Sequence, residues 1–217
     1  MTTYSNRQIE ELRERIGANP TENQVRRGEK EVRRIVEEIG RNHNFLEISN
    51  RIFNNIVESK LTENHSIAEL ASASVYTACR KKEVPVSLSE VSSASIVQER
   101  ERYGDRVGSE AMIGRVFRRI CNEIGLLPQR TDPRSFVNRY STKLDLPDEV
   151  RDCALTAIEK SEDEAFTAGS ANSFAAGAIY FAMGEHNVDI NLRELCQITY
   201  LSEHPVINNR DKIKQKK

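Results

Sequence analysis

The chain has 217 residues, and its 32 basic and 33 acidic side chains give a formal net charge of −1. A nearly neutral protein can still present a basic face, so this balance excludes no class of partner. No run approaches the ~18 apolar residues of a membrane helix, and the start MTTYSNRQIEEL lacks the apolar core of a signal peptide. We therefore expect a cytoplasmic protein that does not contact a membrane.

The N-terminal arm is predicted to be a separate short helix, because Ser5-Asn-Arg-Gln8 has the capping-box pattern and Ile9, Leu12 and Ile16 fall on one face. A helix of about eleven residues is only marginally stable alone. We expect this arm to dock on the rest of the chain or on a partner.

Two amphipathic helices are predicted next, over 22–39 and 45–61, because apolar residues recur there at three- and four-residue spacing. Their inward residues are Val25, Val32, Ile35, Val36 and Ile39 in the first, and Phe45, Ile48, Ile52, Phe53, Ile56 and Leu61 in the second. Each helix is expected to bury one face.

An internal repeat follows. Residues 66–95 and 170–199 align without a gap at a constant offset of 104 positions. Seven pairs are identical: Ser66/Ser170, Ala71/Ala175, Tyr76/Tyr180, Ala78/Ala182, Val84/Val188, Leu88/Leu192 and Glu90/Glu194. Such a repeat indicates a duplicated supersecondary unit. In each copy a capped, alanine-rich helix is predicted to be the central helix, followed by a short helix.

The remaining elements complete two similar units. A long helix with Met112, Ile113, Val116, Phe117, Ile120 and Ile124 ends the first unit. After a linker, Asp132 as N-cap and Pro133 at the first helical position restart the helical series. The prediction is an all-α chain with five helices in each unit and no strand.

No pattern of a common catalytic, nucleotide-binding or metal site occurs: the chain lacks GxxxxGK[ST], GxGxxG, GxSxG, HExxH and CxxC. The histidines have no metal-ligand spacing, and the four dispersed cysteines (79, 121, 153 and 196) are expected to be reduced core residues. We therefore predict a protein that is not an enzyme and has no cofactor or metal.

Two such five-helix units, each with an alanine-rich central helix ending in a YxA segment, resemble the paired cyclin folds of transcription initiation factor IIB and its archaeal equivalent. The resemblance covers roughly 25–215 and depends on four segments in combination: AELASASVYTACR at 68–80, IGRVFRRICNEIGLLP at 113–128, TDPRSFVNRYSTKLDLPDEV at 131–150 and FAAGAIYFA at 174–182. It implies three parts: an arm (1–20), a first cyclin-like repeat (21–128) and a second repeat ending in a helix-turn-helix and a basic tail (129–217).

Proteins of this family bind the TATA-binding protein on promoter DNA and bridge it to RNA polymerase. The resemblance thus implies a monomeric initiation factor, nucleoid-associated in a prokaryote, that binds the TATA-binding protein on promoter double-stranded DNA and assists or modulates transcription initiation. Family members normally begin with a zinc ribbon that engages the polymerase. This chain has no cysteine pair, so we expect the zinc ribbon to be absent. Whether RNA polymerase is a partner is left open. The alternatives are a cyclin-fold protein-binding adaptor and a negative regulator that does not recruit polymerase.

The resemblance implies a DNA contact in the first repeat, because Gly114-Arg115 matches the start of a family helix that contacts DNA beside the TATA box. Arg118 and Arg119 follow one turn later, and Arg100, Arg102 and Arg106 precede them. Basic residues near a helix start suit phosphate. Since Glu99, Glu101, Asp105 and Glu110 interleave with these arginines, a solvated charged face remains the alternative.

A second DNA contact is expected in the helix-turn-helix of 192–212, whose second helix begins after Ser202. In the family this helix reads bases with an apolar residue and an arginine three positions later, where this chain has His204 and Ile207. Isoleucine can contact a thymine methyl but cannot make the arginine–guanine contact worth about 1–3 kcal/mol. We therefore expect backbone contact more than base readout, from Ser202, His204, Ile207, Asn208, Arg210, Lys212 and Lys214. The alternative is a merely solvated lysine-rich end.

Overall fold

A computed structural model describes residues 20–58, 65–95, 110–123, 125, 131–161, 170–189 and 191–216. These ranges contain ten α-helices and no strand, which confirms the all-α prediction. The helices are α1 (Pro20–Glu38), α2 (His43–Glu58), α3 (Ile67–Lys81), α4 (Leu88–Ser95), α5 (Glu110–Glu123), α6 (Pro133–Lys143), α7 (Asp148–Lys160), α8 (Ala171–Glu185), α9 (Leu192–Thr199) and α10 (Glu203–Lys214). The predicted N-terminal arm lies, except for Pro20, outside the described residues. Within the described part of the chain, none of the helices is long and apolar enough to cross a membrane.

The internal repeat of the sequence recurs in the positions at which the helices begin and end. The bounds of α3 and α8 differ by the same 104 positions at both ends, and so do those of α4 and α9. Both central helices also end in the same way: the Val84 N–H donates to the Cys79 carbonyl at 2.9 Å, and the Val188 N–H donates to the Met183 carbonyl at 3.0 Å. In each case the preceding residue has a positive φ, as in a Schellman motif.

Side-chain caps fix where the helices begin. At α3 the Glu69 N–H donates to Ser66 Oγ at 3.2 Å, and the Ser66 N–H donates to the Glu69 carboxylate at 3.1 Å. These two hydrogen bonds form a capping box. At α8 the Ser173 N–H donates to Ser170 Oγ at 3.2 Å, and at α6 the Arg134 N–H donates to Asp132 Oδ1 at 2.9 Å.

The described helices form two compact units, one within 1–78 and 94–124 and the other within 79–93 and 125–217. In the second unit, Arg139 holds the segment that follows α3. Its guanidinium donates to both carboxylate oxygens of Glu90, at 2.7 and 2.5 Å, and to the Pro85 carbonyl. The side chains of Glu90 and Arg139 are only 3% and 13% exposed. Burial opposes the charge on Arg139, but the hydrogen bonds and charge of Glu90 outweigh it, so the pKa of Arg139 is raised.

Each unit has its own apolar core. In the first unit the fully buried side chains include Val32, Ile35, Phe53, Leu70, Ile113 and Ile120. In the second unit α8 is buried along most of its length, as predicted for a central helix. The Tyr140 hydroxyl donates to Asn172 Oδ1 at 2.6 Å, and Asn172 Nδ2 donates to the Thr199 carbonyl at 2.9 Å. Burial raises the pKa of Tyr140, so its phenol stays protonated in this network.

Candidate nucleic-acid interface

Helix α5 presents three arginines to solvent. Its apolar stripe is buried and consists of Ile113, Val116, Phe117, Ile120 and Cys121. Arg115, Arg118 and Arg119 lie on the opposite side, all exposed, and none has an ion pair among the described residues. Gly114 is half-buried beside them. The arginines expected upstream, at 100, 102 and 106, lie outside the described residues.

This outward face of α5 suits a polyanion. Arg115 and Arg119 are about 6 Å apart along the helix axis, and Arg118 lies between them. Phosphates of one DNA strand recur about every 3.4 Å along the duplex axis. Three unpaired guanidinium groups at this spacing can contact consecutive phosphates, which positions a protein without reading sequence.

In the second unit, α9 and α10 are joined by a tight turn, in the order predicted for a helix-turn-helix. Tyr200 ends α9 in the left-handed conformation, with φ 56° and ψ 38°. The Leu201 N–H donates to the Cys196 carbonyl at 3.0 Å, which closes the turn. Ser202 is the N-cap of α10, as predicted, although its exposed side chain makes no capping hydrogen bond. Burial, followed by the charge of Glu203, raises the pKa of the Cys196 thiol.

Helix α10 is anchored on α8 through its buried residues Val206, Asn209 and Ile213. The two helices pack closely at Gly177, where a Cβ atom would lie 2.5 Å from Asn209 Cβ and 2.9 Å from the backbone nitrogen of Arg210. No local sequence pattern indicates this close approach. The repeat alignment does distinguish this position: the first copy has Ala73 where the second copy has Gly177, the residue without a side chain.

The anchoring fixes which residues of α10 face outward. The side of α10 opposite its buried residues carries a row of side chains spaced three or four positions apart: His204, Ile207, Asn208 and Asp211. His204 and Asn208 are exposed, and Ile207 and Asp211 are half-buried. His204, Ile207 and Asn208 lie in the first two turns of the second helix, the part that meets base edges in helix-turn-helix proteins.

Arg210 is engaged within the protein, which the sequence did not indicate. Its guanidinium lies over the Tyr180 ring, 5.1 Å from the centroid, and its Nη2 is 2.7 Å from an oxygen of Asp211. Lys212 is half-buried, Lys214 is exposed, and neither has an ion pair in the described part of the chain. The tail thus offers fewer uncommitted cations than its composition suggests.

Comparison with known proteins identifies the repeats. The family model described as the transcription factor TFIIB repeat matches residues 21–103 and 128–216. The chain is 31% identical over 179 residues to transcription initiation factor IIB 7 of Halobacterium salinarum, covering 82% of this chain and 52% of the relative. It is 30% identical over 179 residues to transcription initiation factor IIB of Methanothermococcus thermolithotrophicus, covering 82% and 50%.

The chain therefore spans about half the length of the curated relatives that it matches. Each matched segment carries one copy of the internal repeat, 66–95 in the first and 170–199 in the second. The chain belongs to the transcription factor TFIIB repeat family.

Proposed function

We propose that this chain acts in transcription initiation by binding the TATA-binding protein on promoter DNA. The observation that carries the proposal is that two outward elements are suited to DNA: the arginine face of α5, which lies between the two matched segments, and the helix-turn-helix of α9 and α10 within the second. The names of the relatives, transcription initiation factor IIB, support the same role.

We assign different tasks to the two elements. Arg115, Arg118 and Arg119 bind phosphates, because they are exposed and unpaired among the described residues. Ile207 and Asn208 on α10 are the candidates for contact with bases, since isoleucine suits a thymine methyl and asparagine suits adenine. The repeats divide at 128/129 in this proposal, and RNA polymerase remains a further partner to test.

A specific observation favours a protein-binding adaptor as the second candidate. The outward line of α10 includes the carboxylate of Asp211, and the adjacent Arg210 is bound to that carboxylate and to Tyr180. A carboxylate at this position repels phosphate. An adaptor would bind its partner protein equally well with and without DNA.

A gel shift distinguishes these candidates. The chain is titrated onto a complex of the cognate TATA-binding protein with TATA-containing DNA, at moderate salt. We expect a supershifted ternary complex, weakened when Arg115, Arg118 and Arg119 are all changed to glutamine. The matched control changes the exposed Lys81, Lys82 and Lys160 to glutamine and removes the same charge.

The absence of any supershift with the wild-type chain would refute the proposed function. A ternary complex of equal strength for both triple variants would refute the role assigned to α5. Binding to the TATA-binding protein that is the same with and without DNA would favour the adaptor.

A further inference from the structure

Helix α1 carries a row of cations that the proposed DNA contacts do not use. Arg27, Lys30 and Arg33 are exposed, and none has an ion pair among the described residues. Arg26 lies beside them and pairs with Glu22 at 3.2 Å, where both side chains are largely exposed. Such a surface pair is weak and leaves Arg26 available to a stronger anion.

The packing of α1 directs this row to solvent. Val32, Ile35 and Val36 are almost completely buried and fix the rotation of the helix about its axis. Arg27, Lys30 and Arg33 follow one another at three-residue spacing on the side away from that stripe. The outward direction of the cations therefore follows from the core.

The two acidic residues that interleave with the row, Glu29 and Glu31, are engaged by other side chains. Glu31 accepts hydrogen bonds from Arg34 at 3.0 and 2.5 Å, and Arg34 also donates to the Ser95 carbonyl at 2.9 Å. Glu29 accepts from Asn54 Nδ2 at 3.0 Å. Between Arg27 and Arg33, both acidic side chains of α1 are therefore held by other residues, and the exposed Glu37 and Glu38 lie about one turn beyond the row.

We infer that this row is a further contact with the phosphate backbone of double-stranded DNA, an inference that rests on the proposed function. Arg27 and Arg33 are about 9 Å apart along the helix axis, a length that spans two to three phosphates at about 3.4 Å each. The exposed neighbours Asn23 and Gln24 are polar. A protein partner would require apolar or aromatic anchors at the centre of the surface, and this row has none among its members.

Salt dependence tests the inference. The affinity of the chain for the complex of the TATA-binding protein with promoter DNA is measured between 50 and 200 mM salt, for the wild type and for Arg27→Gln/Lys30→Gln/Arg33→Gln. Each phosphate contact contributes about 0.9 to the slope of log affinity against log salt, so the triple variant should lose about 2.7. The affinity ratio of wild type to variant should then shrink about 40-fold over this range.

The control is Lys81→Gln/Lys82→Gln/Lys160→Gln, which should keep the wild-type slope despite the same charge loss. Thermal melting should be similar for all three proteins, because every substituted side chain is exposed. The loss of affinity should also be equal for DNA of different sequence, since phosphate contacts carry no sequence information.

An unchanged slope in the α1 variant overturns the inference, and a wild-type ternary complex in the same experiment leaves the proposed function standing. A variant that keeps the DNA slope but loses binding to RNA polymerase would make the row a protein contact and also overturn the inference. Failure of the wild type to form the ternary complex at any salt would instead refute the proposed function, and the inference with it.

Discussion

Replacing Gly177 with alanine is expected to loosen α10 from α8. The added Cβ would lie 2.5 Å from Asn209 Cβ, 2.9 Å from the Arg210 nitrogen and 3.0 Å from the Asn209 carbonyl carbon. Ordinary separations between carbon atoms are about 3.5–4.0 Å. Two of these three atoms belong to the backbone of α10, so no rotamer change can relieve the overlap and the helix itself must move.

The expected cost is the difference between two effects. Overpacking of a well-packed site costs about 1–3 kcal/mol, whereas alanine in place of glycine in a helix stabilises by about 0.5–1 kcal/mol. Because the overlap is with backbone, we expect a net loss of about 1–2 kcal/mol in the free energy of unfolding.

Gly184 on the same helix provides the matched control, because a Cβ there meets nothing within 4 Å. Gly184→Ala should therefore stabilise by about 0.5–1 kcal/mol. Urea denaturation of the two variants gives both free energies, and the gel shift with promoter DNA should weaken for Gly177→Ala alone. Equal stabilisation by both substitutions would show that α10 does not pack on α8 at this glycine.

Three further substitutions test other contacts. Arg139→Ala should destabilise by about 3 kcal/mol in urea denaturation, because it removes both hydrogen bonds to the buried carboxylate of Glu90 and leaves it with Lys143 at 3.9 Å. A loss under 1 kcal/mol would contradict this. Burial raises the pKa of Tyr140, so the phenol loses its proton at lower pH in the unfolded chain than in the folded one, and the free energy of unfolding should fall as pH rises above about 10. Tyr140→Phe should flatten this fall between pH 9 and 11.5. An unchanged pH dependence in this variant would refute the raised pKa of Tyr140. Lys214→Gln should lower the slope of log affinity for DNA against log salt by about 0.9. Arg210→Gln should leave this slope unchanged, because Arg210 is bound to Tyr180 and Asp211. Equal slopes for the two variants would contradict this difference.

The sequence predicted those parts of the fold that local signals determine. The bounds of α3 and α8 follow from Ser66 and Ser170, whose side chains cap the first turns, and from the gap-free repeat. Asp132 and Pro133 similarly locate the start of α6. These features lie within a few residues of one another, so single-sequence patterns contain them.

Contacts between distant residues could not be predicted in this way. Glu90 and Glu194 are identical in the repeat, yet Glu90 is buried against Arg139, 49 positions away, whereas Glu194 is exposed. The local cap of α4, in which the Glu90 N–H donates to Ser87 Oγ at 3.0 Å, gives no sign that the Glu90 carboxylate binds elsewhere. Likewise, the packing of Arg210 on Tyr180 depends on how α10 lies on α8.

Anisotropy of labelled TATA-containing DNA, titrated with this chain in the presence and absence of the cognate TATA-binding protein, tests the proposed function most directly. We expect saturable binding that the TATA-binding protein strengthens about ten-fold or more, a coupling of ordinary size between two sites. Binding to DNA that is unaffected by the TATA-binding protein, or no binding under either condition, would contradict it.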